Sequence, residues 1–84
     1  MPRALPEFTK EARSIPSGSI WEHYSKKRYL IIGVARHSET HEELVVYQAL
    51  YGDKDVWVRP LKMFLESVEI EDIPTERFTC VSRD

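Results

Sequence analysis

Three short apolar runs separated by two polar turns lie between Gly33 and Phe64, and they limit the folds open to this chain. The runs are rich in β-branched and aromatic residues, which favour strands, and short turns between such runs favour antiparallel hairpins. The whole chain has 84 residues, enough for one domain with one core. No run reaches the ~18 apolar residues of a transmembrane helix. We therefore expect a single small β domain that does not cross a membrane.

Charge and cysteine content narrow the classes of function. The formal net charge is −2, and Lys26 to Arg28 is the only run of basic residues, so the clustered basic face of nucleic-acid modules is not expected. Charged residues interrupt the first twenty positions, which argues against a secretory signal. The single cysteine, Cys80, cannot form an internal disulfide. These features predict a cytoplasmic protein in which Cys80 is a core or half-buried thiol.

The N-terminal residues show a helical pattern. Apolar residues repeat there at spacings of three and four, which predicts a helix over residues 6–13 that must dock on the rest of the domain or on a partner. Pro16 and Gly18 then mark a linker. We expect residues 1–19 to form an N-terminal extension and residues 20–84 to form the β domain. The apolar residues of the predicted helix and its end are Leu5, Phe8, Ala12 and Ile15.

The patterns after the linker predict strands separated by turns. One segment is ambiguous, because a capping-box pattern at Thr40 and Glu43 could begin a helix over residues 41–51. We favour a strand there because the segment is rich in valine and aromatic residues, and because Gly52-Asp53 suits a hairpin turn. The full expectation is strands at 21–24, 28–36, 43–51, 56–58, 66–71 (with Val68 and Ile70 inward) and 78–81, and one helical turn over 60–65.

This order of elements describes a small, mainly β SH3-like barrel or roll of about five antiparallel strands, with a short N-terminal helix and one helical turn before the last core strand. An open α+β sheet is the alternative. Several segments also carry a family resemblance: His23-Tyr24, Tyr29, residues 33–40, Val45-Val46-Tyr47, Leu50-Tyr51-Gly52, Trp57-Val58-Arg59-Pro60-Leu61 and Met63-Phe64. They resemble the motifs of a bacterial domain-of-unknown-function family, number 1653, over about residues 20–81. The resemblance implies an SH3-like roll and no established activity.

Turn lengths predict how the strands pair. The expected pairs are Arg36 with Glu43, Ile32 with Tyr47, Tyr51 with Val56, Leu50 with Trp57 and Gln48 with Arg59. Alternation along each strand then predicts a core face of Leu30, Ile32, Val34, Val45, Tyr47, Ala49, Val56 and Val58. The opposite, candidate binding face carries Tyr29, Ile31, Gly33, Val46, Gln48, Leu50, Trp57 and Arg59. A slip of one residue in either hairpin would exchange the two faces.

The candidate binding face and the polar turn before the third segment together suggest an anion site. Arginine recognises carboxylates and phosphates, and serine and threonine donate hydrogen bonds. We therefore predict an accessory module that holds an anionic small molecule or peptide, or that binds a protein partner or a second copy of itself. The alternatives are a solvated turn, and a face covered by the N-terminal helix with Trp57 packed on it and Arg59 anchored to an acid. The predicted ligand-binding residues are Arg36, His37, Ser38, Glu39, Thr40, Gln48, Trp57 and Arg59.

Other functions have less support in the sequence. A nucleic-acid-binding barrel would use Tyr29, Trp57 and the basic run 26–28, and a small hydrolase-type enzyme would use His37 as acid or base. An aromatic cage is a further alternative, although the expected register points Tyr47 and Tyr51 away from Trp57. The histidines need not converge on a turn, so we expect no metal, and we expect no cofactor and no catalytic residue.

Overall fold

The computed structural model describes residues 7–82, which form a five-stranded antiparallel sheet and a separate two-stranded ribbon. The elements are α1 (Lys10–Arg13), β1 (Ile20–His23), β2 (Arg28–Arg36), β3 (Glu43–Ala49), β4 (Val56–Pro60), α2 (Leu61–Phe64), β5 (Ser67–Ile70), β6 (Ile73–Glu76) and β7 (Phe78–Ser82). The strand order in the main sheet is β4-β3-β2-β1-β7. The mainly β prediction is confirmed, and the arrangement fits an SH3-like roll. No helix within the described residues is long and apolar enough to span a membrane.

Helix α1 is shorter than predicted. It begins at Lys10 because Thr9 is its N-cap, with an extended backbone and a side-chain oxygen that accepts a hydrogen bond from the Ala12 amide. The Glu43 carboxylate in turn accepts from the Thr9 amide and from the Thr9 hydroxyl, both at 2.8 Å. This contact ties the start of α1 to the start of β3. Pro6, the first residue of the predicted helix, and Leu5, which belongs to the apolar pattern before it, lie outside the described residues.

The core joins the N-terminal extension to the main sheet and to helix α2. The ring of Phe64 stacks on that of Phe78 with centroids 4.1 Å apart. The buried indole of Trp21 donates to the Ser19 hydroxyl at 3.0 Å, so its polar atom is satisfied inside the core. Extension residues and strand residues therefore share one apolar cluster, made of Ala12, Ile15, Trp21, Ile31, Val45, Tyr47, Leu61, Phe64 and Phe78.

The β2–β3 hairpin keeps the predicted pair at its tip and departs from the prediction further in. Arg36 pairs with Glu43 as expected, but Tyr47 faces Ile31, because the register shifts between Ile31 and Gly33 and leaves Ile32 as an extra residue. Ile32 is consequently exposed and Ile31 is buried. The expected pairing of Ile32 with Tyr47 is wrong, and the bulge is its cause.

The β3–β4 hairpin has a different register from the one predicted. Trp57 faces Tyr47 and Arg59 faces Val45, a slip of three residues from the expected pairs. The turn that joins the two strands differs from the expected one, because Gly52 and Lys54 both have φ of 57°. A positive φ is expected from the sequence for a glycine but not for a lysine. An odd slip exchanges the faces of a strand. The aromatic ring of Trp57 and the guanidinium of Arg59 therefore lie on the core side of the sheet.

Several residues assigned to the core are exposed as a result. Val45, Tyr47 and Ala49 are buried as predicted, and Val34 is half-buried on the same face. Leu30 is also half-buried but pairs with Gln48 on the opposite face, and Ile32, Val56 and Val58 are exposed.

The C-terminal part of the chain contains the two predicted strands, β5 and β7, and a third strand, β6, that was not predicted. Within the segment 41–51, for which a helix was the alternative, residues 43–49 form strand β3. Strand β7 pairs with β1 at the edge of the main sheet. Strand β5 pairs instead with β6, which the sequence analysis missed. Val68 is half-buried, but Ile70 is exposed, so its predicted inward direction is wrong. Pro74 in β6 is a residue that argues against a strand, but both strands of a two-stranded ribbon are edges, where a proline is tolerated.

Candidate functional site

A cavity of about 210 Å³ opens beside β4 on the core side of the sheet. Four aromatic side chains and one arginine line it, and we call it the aromatic cavity: Tyr29, Tyr47, Tyr51, Trp57 and Arg59. Tyr29 comes from β2, Tyr47 from β3, Tyr51 from the turn after β3, and the last two residues from β4.

Strand register brings these side chains together. Tyr47 and Trp57 are direct cross-strand partners, so their side chains leave the same face of the sheet. Tyr29 pairs with Ala49, one step along that face, and its ring lies edge-on to Tyr47 with centroids 5.2 Å apart. The bulge at Ile32 is required for this placement, because without it Tyr29 would lie on the opposite face.

The tyrosine hydroxyls form a short polar strip in the cavity. The Tyr29 and Tyr51 hydroxyls hydrogen bond at 2.6 Å, and the Tyr47 hydroxyl accepts from Arg59 Nε at 3.3 Å. Burial, followed by the hydrogen bond to Tyr51, raises the pKa of Tyr29 well above its ordinary value of 10.0. Tyr29 is therefore a neutral hydroxyl under ordinary conditions, able to donate or accept a hydrogen bond.

The charge around the cavity is positive. The guanidinium carbon of Arg59 lies 5.9 Å from the Phe78 ring centroid, and Lys27 Nζ lies 4.7 Å from the Tyr51 ring centroid. Burial lowers the pKa of His23, and the charges of Arg59, Arg77 and Lys27 lower it further. Within residues 7–82 neither Arg59 nor Lys27 forms an ion pair, since the pairs found there are Arg13–Glu7, Arg28–Glu22 and Arg77–Glu66.

Neither structural alternative for Trp57 and Arg59 matches these contacts. Trp57 is 52 % exposed and stands outside the core cluster to which α1 contributes Ala12, so α1, as described from Lys10 to Arg13, does not cover it. Arg59 is held by a phenol and a ring rather than by an acid in the part of the chain that the structure describes. An exposed indole next to an uncompensated guanidinium suits a ligand with an anionic group and a flat surface.

The polar turn 36–40 lies away from the aromatic cavity. It closes the far end of the β2–β3 hairpin, about 20 Å along the strands from Tyr29 at about 3.3 Å per residue. The guanidinium of Arg36 stacks on Phe8 at 4.4 Å, and His37 Nδ1 accepts from the amides of Glu39 and Thr40 at 3.0 and 3.3 Å. The Thr40 hydroxyl accepts from the Glu42 amide, while Ser38 and Glu39 are exposed.

Of the predicted ligand-binding residues, the structure brings only Trp57 and Arg59 into one cavity. Gln48 lies on the opposite face of β3, where it pairs with Val56 and donates through its side chain to the Lys54 carbonyl at 3.1 Å. The three cavity tyrosines and Lys27 are absent from the predicted ligand-binding residues, although Tyr29 was placed on the candidate binding face and the tyrosines and Lys27 belonged to the alternative functions. The signal that could have found them is the alternation of Tyr47 and Trp57 under the observed register.

A second, wider groove of about 760 Å³ lies between the start of α1 and helix α2. It is larger than the aromatic cavity, but its lining includes three carboxylates and one lysine, and the Glu43 carboxylate is already bonded to Thr9. This charge disfavours an anionic ligand. The lining residues are Thr9, Glu11, Thr40, Glu42, Glu43, Leu61, Lys62 and Leu65.

Metal ligands do not gather in the described part of the chain. From Glu7 to Ser82, no group of three or more His, Cys, Asp and Glu side chains is placed to hold a metal ion. The His23 Nδ1 atom is occupied by the amide and hydroxyl of Ser25, at 3.1 and 2.8 Å.

Comparison with known proteins gives two matches. The family model of a protein of unknown function, DUF1653, matches residues 19–80. The chain is also similar to the crystal structure of a DUF1653 protein from Bordetella bronchiseptica, with a TM-score of 0.74 and 32 % sequence identity. That similarity covers 87 % of this chain and 95 % of the other. Among curated proteins no match is found.

Proposed function

The chain belongs to the DUF1653 family of proteins of unknown function, as the motifs predict, and from that premise we propose that it is a bacterial cytoplasmic binding module for an anionic small molecule or peptide. The aromatic cavity is the proposed site. The observation that carries this proposal is the pairing of an exposed Trp57 with an Arg59 that has no acidic partner among residues 7–82.

The size of the cavity limits what it holds. Its volume of about 210 Å³ is below the ~300–1,000 Å³ of sites that enclose a whole drug-sized ligand. One carboxylate or phosphate with the flat group next to it would fill the space. The ligand is thus either a small metabolite or one residue of a longer chain.

The roles of the residues follow from their contacts. Arg59 Nε is bonded to the Tyr47 hydroxyl, which fixes the side chain and leaves its terminal nitrogens to donate to an anion. Trp57 offers its ring for stacking, and the Tyr29–Tyr51 hydroxyl pair offers a polar contact at the rim. A methylated cation fits less well, because Arg59 and Lys27 both place positive charge at the cavity.

The test is an NMR titration of the Trp57 indole signal with nucleotides, acidic metabolites and an acidic peptide. We expect at least one of these anions to bind, and Arg59→Ala to weaken its affinity about 10- to 100-fold, the value of one charge-assisted hydrogen bond. Arg36→Ala is the matched control, because Arg36 stacks on Phe8 outside the cavity. Equal affinity in the Arg59→Ala and wild-type proteins, or no response from the indole to any of the anions, would refute the proposal.

A second function has one observation in its favour. Tyr29 and Trp57, the residues predicted to stack on bases, line the same cavity, and Lys27 of the basic run stands over Tyr51 at its edge. A single base of an unpaired strand would stack there while its phosphate contacts Lys27 and Arg59. Single-stranded RNA in the same titration separates the two functions: its affinity would fall steeply with salt, and Lys27→Ala would reduce it.

A further inference from the structure

Strand β4 is an open edge of the main sheet. It pairs with β3 on one side and with no other strand of the described chain. Its side chains Val56, Trp57 and Val58 are 54 %, 52 % and 56 % exposed, so the described chain leaves them accessible to a partner. An open edge with large exposed apolar side chains from Val56 to Val58 is a template for another strand, and the two residue types that limit edge pairing, Arg59 and Pro60, stand at its end.

The phase of the hydrogen bonds shows which backbone groups this edge presents. The Ala49 amide donates to the Asp55 carbonyl at 3.0 Å, so these two residues form a hydrogen-bonded pair of the β3–β4 ladder. Such pairs alternate with non-bonded ones in an antiparallel ladder. Trp57 and Arg59 consequently turn their backbone groups toward β3, whereas Val56 and Val58 turn theirs outward.

We propose that β4 pairs with β4 of a second copy of this chain, antiparallel, about a two-fold axis that passes beside Trp57. In this register Val56 of one copy exchanges hydrogen bonds with Val58 of the partner subunit, and the reverse, which makes about four hydrogen bonds. The two main sheets become one continuous sheet. The outward backbone amide and carbonyl groups of Val56 and Val58 then have hydrogen-bond partners in both copies.

Charge and side-chain complementarity favour this register. It sets Arg59 directly opposite Asp55 of the partner subunit on the same face, twice by symmetry. The two Trp57 side chains meet in the non-hydrogen-bonded pair at the axis, where opposing Cα atoms are about 4.5 Å apart. On the opposite face of the sheet, Val56 packs against Val58 of the partner subunit. A second copy thus supplies an acid for Arg59, which has none among the described residues of its own chain.

The ladder has a natural end on each side. The next hydrogen-bonded position would pair Pro60 with Lys54 of the partner subunit, but proline has no amide hydrogen and Lys54 has φ of 57°, outside the extended region. Pairing therefore stops after the central residues and does not run into the turn. This inference goes beyond the proposed function, because the pairing of edges requires no ligand.

Analytical ultracentrifugation of the full chain tests the proposal, from micromolar to millimolar concentration. We expect a dimer for the wild type and a monomer for Val58→Pro, which removes one outward amide but no bond to β3, a change that edge strands tolerate. Val58→Thr keeps the amide and is the matched control, expected to remain dimeric. A wild-type monomer at every concentration, or a dimeric Val58→Pro protein with a native circular dichroism spectrum, would overturn it.

The charge pair gives a second, independent test if Val58→Pro fails to fold. Asp55→Arg places two arginines opposite each other and should weaken dimerisation about tenfold or more. Combining it with Arg59→Asp restores opposite charges and should restore the dimer. Unchanged dimerisation in Asp55→Arg, or no recovery in the double variant, would rule out this register.

Discussion

Arg59 has an unusual position for a charged residue of a small domain. It lies half-buried on the core side of the sheet, with Nε on the Tyr47 hydroxyl and the guanidinium near the Phe78 ring. Interior arginines are commonly paired with an acid, because an unpaired charge is costly to bury. Both proposals above give this charge a partner: a ligand in one case and Asp55 of the partner subunit in the other.

At the residue scale, His23 provides a prediction about pH. Its pKa lies below the ordinary 6.5, because burial and three nearby cations disfavour the charged ring. The unfolded chain therefore binds the proton more readily than the folded one. The stabilising contribution of His23 is present above about pH 6.5 and is lost as the pH falls further.

Two measurements check this expectation. NMR titration of the His23 ring should give a pKa below 6.5, and a value at or above it would contradict the argument. Urea unfolding between about pH 7.5 and about pH 5 should show a smaller loss of stability for His23→Gln than for the wild type. The comparison of the two proteins removes the contribution of the carboxylates.

At the element scale, the approximate position of every strand except β6 could be predicted from the sequence, whereas of the expected strand pairs only Arg36 with Glu43 is found. Strand β2 matches its predicted bounds, and β3 and α2 lie within theirs, because β-branched content and turn residues are local signals. Register depends on backbone conformations that the sequence leaves open: the extra residue at Ile32 and the positive φ of Lys54. The bulge moved Tyr29, and the β3–β4 turn moved Trp57 and Arg59, from the expected outer face to the cavity.

Gly52 and Gly33 form a matched pair for testing the β3–β4 turn. Gly52 has φ of +57°, and a Cβ there would meet nothing within 4 Å, so the cost of Gly52→Ala is purely conformational. We expect Gly52→Ala to lower the free energy of unfolding by about 1 kcal/mol. Gly33→Ala also has open space but no positive φ, and it should change stability by less than ~0.5 kcal/mol or increase it.

Urea denaturation of both glycine variants is the measurement. A Gly52→Ala protein as stable as the wild type would mean that the turn does not need the left-handed conformation. A large loss in Gly33→Ala would mean that something packs against the bulge.

At the scale of the whole molecule, the N-terminal extension and the β domain share one core. Ile15 is 3 % exposed and belongs to the same cluster as Val45 and Phe64, which are fully buried. The extension was predicted to dock on the domain or on a partner, and residues 7–19 place their buried side chains in the domain. The family match starts at residue 19, so this part of the core lies outside the segment matched by the family model.

The contribution of the extension can be measured by comparing two isoleucines. Ile15→Ala should lower the free energy of unfolding by about 2–5 kcal/mol, since it opens a cavity in the core. Ile73→Ala, at a side chain 63 % exposed, should change it by less than ~0.5 kcal/mol. Thermal or urea unfolding gives both values. Equal effects would show that the extension contributes little to the stability of the domain.

Arg59 lines the aromatic cavity and also lies on strand β4. Its guanidinium could therefore bind either an anionic ligand or Asp55 of the partner subunit. A small anion that occupies the cavity would compete with Asp55 of the partner subunit, so a metabolite could dissociate the dimer, and dimerisation would weaken metabolite binding by the same factor. The fraction of dimer would then depend both on the concentration of the protein and on the concentration of its ligand. A domain of this size could report the level of a metabolite by changing its oligomeric state, without any rearrangement of its fold.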